Sequence, residues 1–163
     1  MKLLQLLLVT CACFLTGWLG LSIPFAGSLT PLVWLPAGIA VAALINYGRF
    51  VWPGILLGLV PVYVLAGYGW MPSLLIATGA TLAPAACLAA LLRWKFHVDF
   101  GRTRDVGVFV LAAMVGMLVS SVNGVLIRRL SGALATSDLL STWFSWWIGD
   151  VLGVLLILSL IHI

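Results

Sequence analysis

Six apolar stretches divide the chain, at about Leu3–Phe25, Leu29–Tyr47, Phe50–Ala66, Met71–Trp94, Val106–Leu130 and Leu139–Ile163. Each is close to the roughly 17–25 residues that a helix needs to cross the hydrocarbon core of a bilayer. None shows the strict alternation of a membrane strand, so the pattern predicts an all-α bundle of about six transmembrane helices. The connections are short and rich in Gly, Pro and Ser, and no extramembrane domain fits between the stretches. No internal repeat is visible.

Prolines are predicted to interrupt three of these helices: Pro36 in the second, Pro53 and Pro61 in the third, and Pro84 in the fourth. Each removes a backbone donor and can free carbonyls inside the membrane. Small residues recur at intervals of four: Ala112, Gly116, Ser120 and Gly124 in the fifth stretch, Gly54 and Gly58 in the third, Gly79 and Ala83, then Ala86 and Ala90, in the fourth, and Gly149 and Gly153 in the sixth. That spacing makes a flat groove along which another helix backbone can approach. Trp34, Trp52, Trp70, Trp94 and Trp143 fall near segment ends, as an interfacial aromatic belt would.

Composition removes the alternatives. Of the 163 residues 64% are hydrophobic and 7% are charged, against about 25% charged in a soluble domain, and the mean hydropathy is +1.25. The net charge of +4 sits in loops and points to topology, not to nucleic acid. With the N-terminus inside, the inner loops hold Lys2, Arg49, Arg93, Lys95, Arg102 and Arg104, and the outer side holds Arg128 and Arg129. The excess of basic residues favours a cytoplasmic N-terminus. The first stretch is too long for a signal peptide and lacks an Ala-x-Ala site, so it reads as an uncleaved helix. Cys11 and Cys13 point to different faces of it, and with Cys87 they offer neither metal spacing nor a local disulfide.

One residue stands out chemically. Asp150 lies in Trp143-Phe-Ser-Trp146-Trp147-Ile-Gly149-Asp150, about 11 residues or about 16 Å from the outer end of its helix. A charge at mid-bilayer costs roughly 2.5 to 3.5 kcal/mol on insertion scales, so an acid there marks either a functional site or a hydrogen-bonded helix contact. Trp146 and Trp147 precede it by four and three residues and share its helical face. The three side chains suit a cage for a cation or an amphipathic ligand, or an aromatic packing patch. Asn123, beside Ser120 and Ser121, supplies polar groups in the fifth helix, either for the pocket or for interhelical hydrogen bonds. Trp34 and Pro36, where the second helix is expected to break, complete the candidate ligand set. Asp105 suits the N-terminus of the fifth helix, where the dipole favours an acid. His97, in the inner loop, has no second His or Cys nearby for a metal. No catalytic set is present: the chain has no Glu, no phosphate-binding Gly loop and no nucleophile–His pair. Neither a cofactor nor a metal is expected.

Four motifs in order resemble a known family. They are Trp34-Leu-Pro-Ala-Gly-Ile-Ala40, Gly48-Arg49-Phe-Val-Trp52-Pro53-Gly54-Ile-Leu-Leu-Gly58, Arg104-Asp105-Val106, and Trp146-Trp147-Ile-Gly149-Asp150-Val-Leu-Gly153. Over about residues 10–157 the chain resembles the first type of bacterial membrane-associated sensor domain. The resemblance implies a sensory input module in the inner membrane, N-terminal to a histidine kinase or to a cyclic-di-GMP cyclase or phosphodiesterase. It therefore implies a cytoplasmic output domain as partner, beside the lipid bilayer and a second copy of the chain as candidate partners. Two departures stand out. The family's Thr-Leu-Glu-Ala in the fourth helix reads Thr81-Leu82-Ala83-Pro84 here, and the family's further helices do not follow. Leu158-Ser-Leu-Ile-His-Ile163 resembles translated sequencing adapter, so residues 1–157 read as a partial sensor module and 158–163 as a non-native tail. The rival reading is a substrate-binding membrane subunit of a small-molecule transporter.

Overall fold

The computed structural model describes residues 1–22, 31–97 and 102–161, with backbone alone at 158, 160 and 161. Phe25 and Leu29, expected segment ends, and His162 lie outside the described residues. The described chain is helical: α1 (Lys2–Ser22), α2 (Leu35–Tyr47), a 3-10 turn (Arg49–Val51), α3 (Trp52–Leu65), α4 (Trp70–Arg93), α5 (Thr103–Leu130), a second 3-10 turn (Thr136–Asp138) and α6 (Leu139–Ile161). The chain is a multi-pass helical membrane bundle, in which α1, α4, α5 and the helix ending in α6 are long and apolar enough to span a bilayer.

The second and third stretches depart from the expected full spans. α2 has 13 residues and α3 has 14, so α2 is about 20 Å long against a core of about 30 Å. Proline is the reason. Pro36 does not break α2 but opens it, since Pro in the first helical turn sacrifices an N–H that has no intrahelical partner anyway. Pro53 opens α3 in the same way. Before α3, Gly48 takes φ +87, a left-handed conformation that other residues adopt only with strain. Pro61 and Pro84 do lie inside α3 and α4. Buried hydroxyls settle locally, as where Thr81 donates to the Ala77 carbonyl one turn back at 2.8 Å.

The helices associate in three pairs, each closed at small residues. In α1–α3, a Cβ on Gly54 would lie 2.9 Å from the Leu6 carbonyl oxygen, and one on Gly58 2.6 Å from that of Thr10. In α2–α6, Gly153 abuts the Trp34 carbonyl, and a Cβ on Gly38 would lie 2.7 Å from Ile157 Cβ. In α4–α5, the most extensive pair, a Cβ on Gly116 would lie 2.6 Å from Cys87 Cβ. Asn123 adds a polar tie to that pair, its Nδ2 donating to the Leu75 carbonyl at 2.9 Å beside Gly79. The Ala112/Gly116/Ser120/Gly124 stripe serves two neighbours. Four-residue steps drift around a 3.6-residue helix, so Gly116 meets α4 while Gly124 meets the Trp146 ring on α6.

Of the basic residues, Lys2, Arg49, Arg93, Lys95, Arg102 and Arg104 gather at one end of the bundle. Lys2 Nζ lies 5.7 Å from the Phe50 ring centre and Arg104 reaches the Trp94 carbonyl at 3.4 Å. There Asp105 sits in the first turn of α5, buried, with His97 Nδ1 4.0 Å from its carboxyl. Arg128 and Arg129 lie at the opposite end.

Replacing Gly116 or Gly153 by Leu should lower the melting temperature of the purified protein in detergent, through an overpacking cost of at least about 1–3 kcal/mol. The same change at Gly107, where a Cβ meets nothing within 4 Å, should leave it unmoved, and equal melting curves for all three would show that the contacts are not tight. Asn123→Ala should cost about 0.6 to 1.7 kcal/mol, the range of membrane interhelical hydrogen bonds, read as a shift in the same melting curve.

Candidate functional site

The site forms where the three pairs meet, at the end of the bundle that carries Arg128 and Arg129. Its floor is Asp150. The fold brings the acid there through backbone: the N–H of Trp34, just before α2, donates to the Gly149 carbonyl at 2.8 Å. Gly149 permits this, since a Cβ there would lie 2.9 Å from the Pro31 carbonyl oxygen. Non-helical Pro31–Trp34 thus runs against the middle of α6, ten residues from its start at Leu139. Irregular backbone at membrane depth is tolerated where protein buries it, and glycines 149 and 153 provide that cover. Two motifs far apart in sequence, Trp34–Gly38 and Trp146–Gly153, are therefore the two halves of one contact.

Among the described residues the cavity is lined by Leu21 of α1, Pro31 and Trp34 ahead of α2, Tyr63 and Tyr68 at the end of α3, and Trp146 and Asp150 of α6. The walls and open mouth bound about 330 Å³ of space between atoms, while the enclosed part leaves about 20 Å³ for water centres, room for one or two waters. The aromatic wall is continuous. Trp34 stacks on Tyr63 with ring centres 5.9 Å apart, and Tyr63 meets Tyr68 edge-on at 6.1 Å. The Arg128 guanidinium carbon lies 5.4 Å from the centre of the Tyr68 ring.

Asp150 is 1% exposed. Ser120 of α5 turns its buried hydroxyl toward it, yet neither carboxyl oxygen gains a well-formed hydrogen bond. The Tyr63 hydroxyl and Arg128 Nε are likewise buried without a hydrogen-bond partner. The only ion pair among the described residues is His97–Asp105, so Asp150 and Arg128 do not pair. No three His, Cys, Asp or Glu side chains gather among the described residues, and Asp150 has no protein co-ligand with which to hold a metal. A buried carboxyl left this way is costly, and a proton, water or cation from outside would relieve it.

The residues singled out in the sequence fall into two groups. Trp34, Trp146 and Asp150 come together in the cavity. Trp147 does not join them: it faces α5, donating its indole N–H to the Met114 carbonyl at 2.9 Å and stacking on Trp143 with ring centres 6.0 Å apart. Residues three and four apart flank the same face from opposite sides, and α5 captures the one that turns its way. Asn123 is spent on Leu75. Pro36 packs behind Trp34, its Cγ 3.4 Å from a Cβ built on Gly17, and does not line the cavity. Trp34, read as an interfacial residue, is buried, whereas Trp52 and Trp70 are exposed at opposite ends. Tyr63, Tyr68 and Arg128 were not foreseen. Tyr63 carries a readable signal, a hydroxyl in an otherwise apolar helix, but Arg128 reads as an ordinary loop charge until its burial at 5% exposure is seen.

No curated protein and no solved structure matches the chain. A family model does, over residues 3–163, and it takes in both halves of the interlocked contact and the acid between them. The chain belongs to the MASE1 family of membrane-associated sensor domains.

Proposed function

We propose that the chain is the membrane-embedded input module of a signalling protein, and that the Asp150 cavity receives the stimulus. The observation that carries this reading is a carboxyl at the floor of a cavity with no hydrogen-bond partner for either oxygen. In a purely structural contact both oxygens would be satisfied, as the Asn123 amide is. Occupation of the cavity would favour one packing of α6 against α2 and α5 over another. Shifts of about 1–2 Å between packed helices are the usual size of such switches. The module would pass that bias to a cytoplasmic output domain, a histidine kinase or a cyclic-di-GMP enzyme. The excess of basic residues at the end opposite the cavity supports a cytoplasmic N-terminus and a mouth on the outer face.

Three measurements test the reading. The gene downstream of codon 157 should continue in frame into a linker and an output domain, whereas a stop codon beside transporter ATPase genes would favour a substrate-binding subunit. In the native protein Asp150→Asn, which keeps shape and removes charge, should insert normally and lose at least tenfold of the stimulus-dependent output. A wild-type response from that variant at normal expression would reduce Asp150 to a packing residue. A cysteine placed at position 97 should resist an impermeant thiol reagent added to intact cells and react after lysis; ready labelling from outside would invert the topology.

A further inference from the structure

Two buried ionisable side chains, an acid on the cavity floor and a base against its aromatic wall, form no ion pair with each other. Asp150 is 1% exposed with both oxygens unpartnered, and Arg128 is 5% exposed with Nε unpartnered. Both belong to one face of the α5–α6 contact. Gly124 of α5 lies against Trp146, Ser120 one turn before it faces Asp150, and Arg128 lies one turn after it. Arg128 is thus about two turns, or about 12 Å of helix axis, from the Ser120 level toward the mouth. Tyr63 and Tyr68 line the cavity with Trp34, Trp146 and Asp150, and Arg128, outside that lining, lies on the face of Tyr68. Two opposite charges in one buried cluster would ordinarily collapse into a salt bridge, since each alone is expensive. Here no such bridge forms, and Arg128 rests on the face of Tyr68 instead.

We propose that the cavity binds a small amphipathic zwitterion of the amino-acid or betaine type, with its ammonium on Asp150 and its carboxylate on Arg128. This rests on the reading of the Asp150 cavity as the stimulus site. A simple organic ammonium would satisfy Asp150 and the rings but would bring a second cation toward Arg128. A simple carboxylate would satisfy Arg128 and be repelled by an ionised Asp150. A zwitterion satisfies both, and its apolar linker lies along the rings. The enclosed space of about 20 Å³ is too small for such a molecule, so entry requires the mouth to widen. The movable part is the Arg128–Tyr68 contact, which is held by ring attraction and not by a hydrogen bond. A carboxylate that draws Arg128 off Tyr68 would then join the end of α5 to the turn between α3 and α4.

The test uses the protein in lipid nanodiscs and three probes with one four-carbon skeleton: γ-aminobutyrate with both charges, n-butylamine with the ammonium alone, and butyrate with the carboxylate alone. Binding is read by titration calorimetry, and the spacing of the charges by repeating it with glycine, β-alanine and 6-aminohexanoate. At least one member of the amino-acid series should bind at least tenfold tighter than either single-charge probe. Asp150→Asn should erase its advantage over butyrate, and Arg128→Gln its advantage over n-butylamine. Amine binding equal to zwitterion binding would overturn the proposal in favour of a cation site, and no binding of any probe to folded wild-type protein would overturn it outright. If a variant fails to fold, the wild-type comparison of the probes still decides. The stimulus-site reading fails separately: output lost in Asp150→Asn with no zwitterion bound keeps that reading and removes this one. Zwitterion binding with output intact does the reverse.

Discussion

The hydrogen bond from the Trp34 N–H to the Gly149 carbonyl is the constraint on which the rest of the site depends. Carbonyls along an α-helix are already engaged with the N–H four residues on, and a second donor reaches one only where the helix surface is bare. Gly149 and Gly153 bare that surface one turn apart, and the backbone of Pro31–Trp34 occupies it. Several consequences follow together. α2 starts ten residues down α6 instead of at its end. The chain before it runs non-helical through apolar surroundings without exposing its polar groups to lipid. Asp150, next in sequence to Gly149, is forced beneath the Trp34 ring and the Tyr63 hydroxyl.

Such an arrangement is uneasy by construction. The insertion cost of an acid, roughly 2.5 to 3.5 kcal/mol, could have been offset by Asn123 or by a nearby Arg. The fold withholds both. Asn123 is held by Leu75 on the far side of α5, and Arg128 is parked on Tyr68. Close packing elsewhere in the bundle makes the gap tolerable, because backbone contacts at Gly54, Gly58, Gly116 and Gly153 supply dispersion energy that lipid cannot match. Stability is concentrated in the pairs and the unsatisfied polarity at their junction.

How much of this could be read from the chain depends on the range of the cause. Helix number and the apolar class follow from local hydropathy, which is why six helices were legible. Asp150 stood out for the same reason, since an acid in an apolar run is conspicuous without knowing its neighbours. The lengths of α2 and α3 were not legible, because Pro36 and Pro53 read equally as breaks within a span or as first-turn residues opening a shorter helix. The tertiary contact at Gly149 fixes where α2 starts, and the turn at Gly48 precedes the start of α3. The face shared by Trp146, Trp147 and Asp150 was correct as helical geometry, but which neighbour lies on each flank is not encoded in spacing. Arg128 and Tyr68 were invisible for the same reason: sixty residues separate them.

On the reading proposed above, the position of the cavity suits signalling better than a pocket inside any one helix pair would. Leu21 comes from the α1–α3 pair together with Tyr63 and Tyr68, and Trp34, Trp146 and Asp150 come from the α2–α6 pair; Ser120 and Arg128 of the α4–α5 pair do not line the cavity but touch its lining residues Asp150 and Tyr68. A molecule held within one pair would strengthen a contact already closed by glycine and change little. One held at the junction touches two of the pairs, and its differential affinity for two arrangements of them is the quantity that a ligand can convert into a population shift. Each pair is stiff internally, so little of that free energy is dissipated in loosening it. Across the pairs, α6 meets α5 at several points: the Trp146 ring on Gly124, the Trp147 indole on the Met114 carbonyl, and Ser120 beside Asp150. Asp150 lies one turn from the Trp146–Gly124 contact, so on the reading proposed above a change in what the carboxyl touches acts directly on the α5–α6 interface.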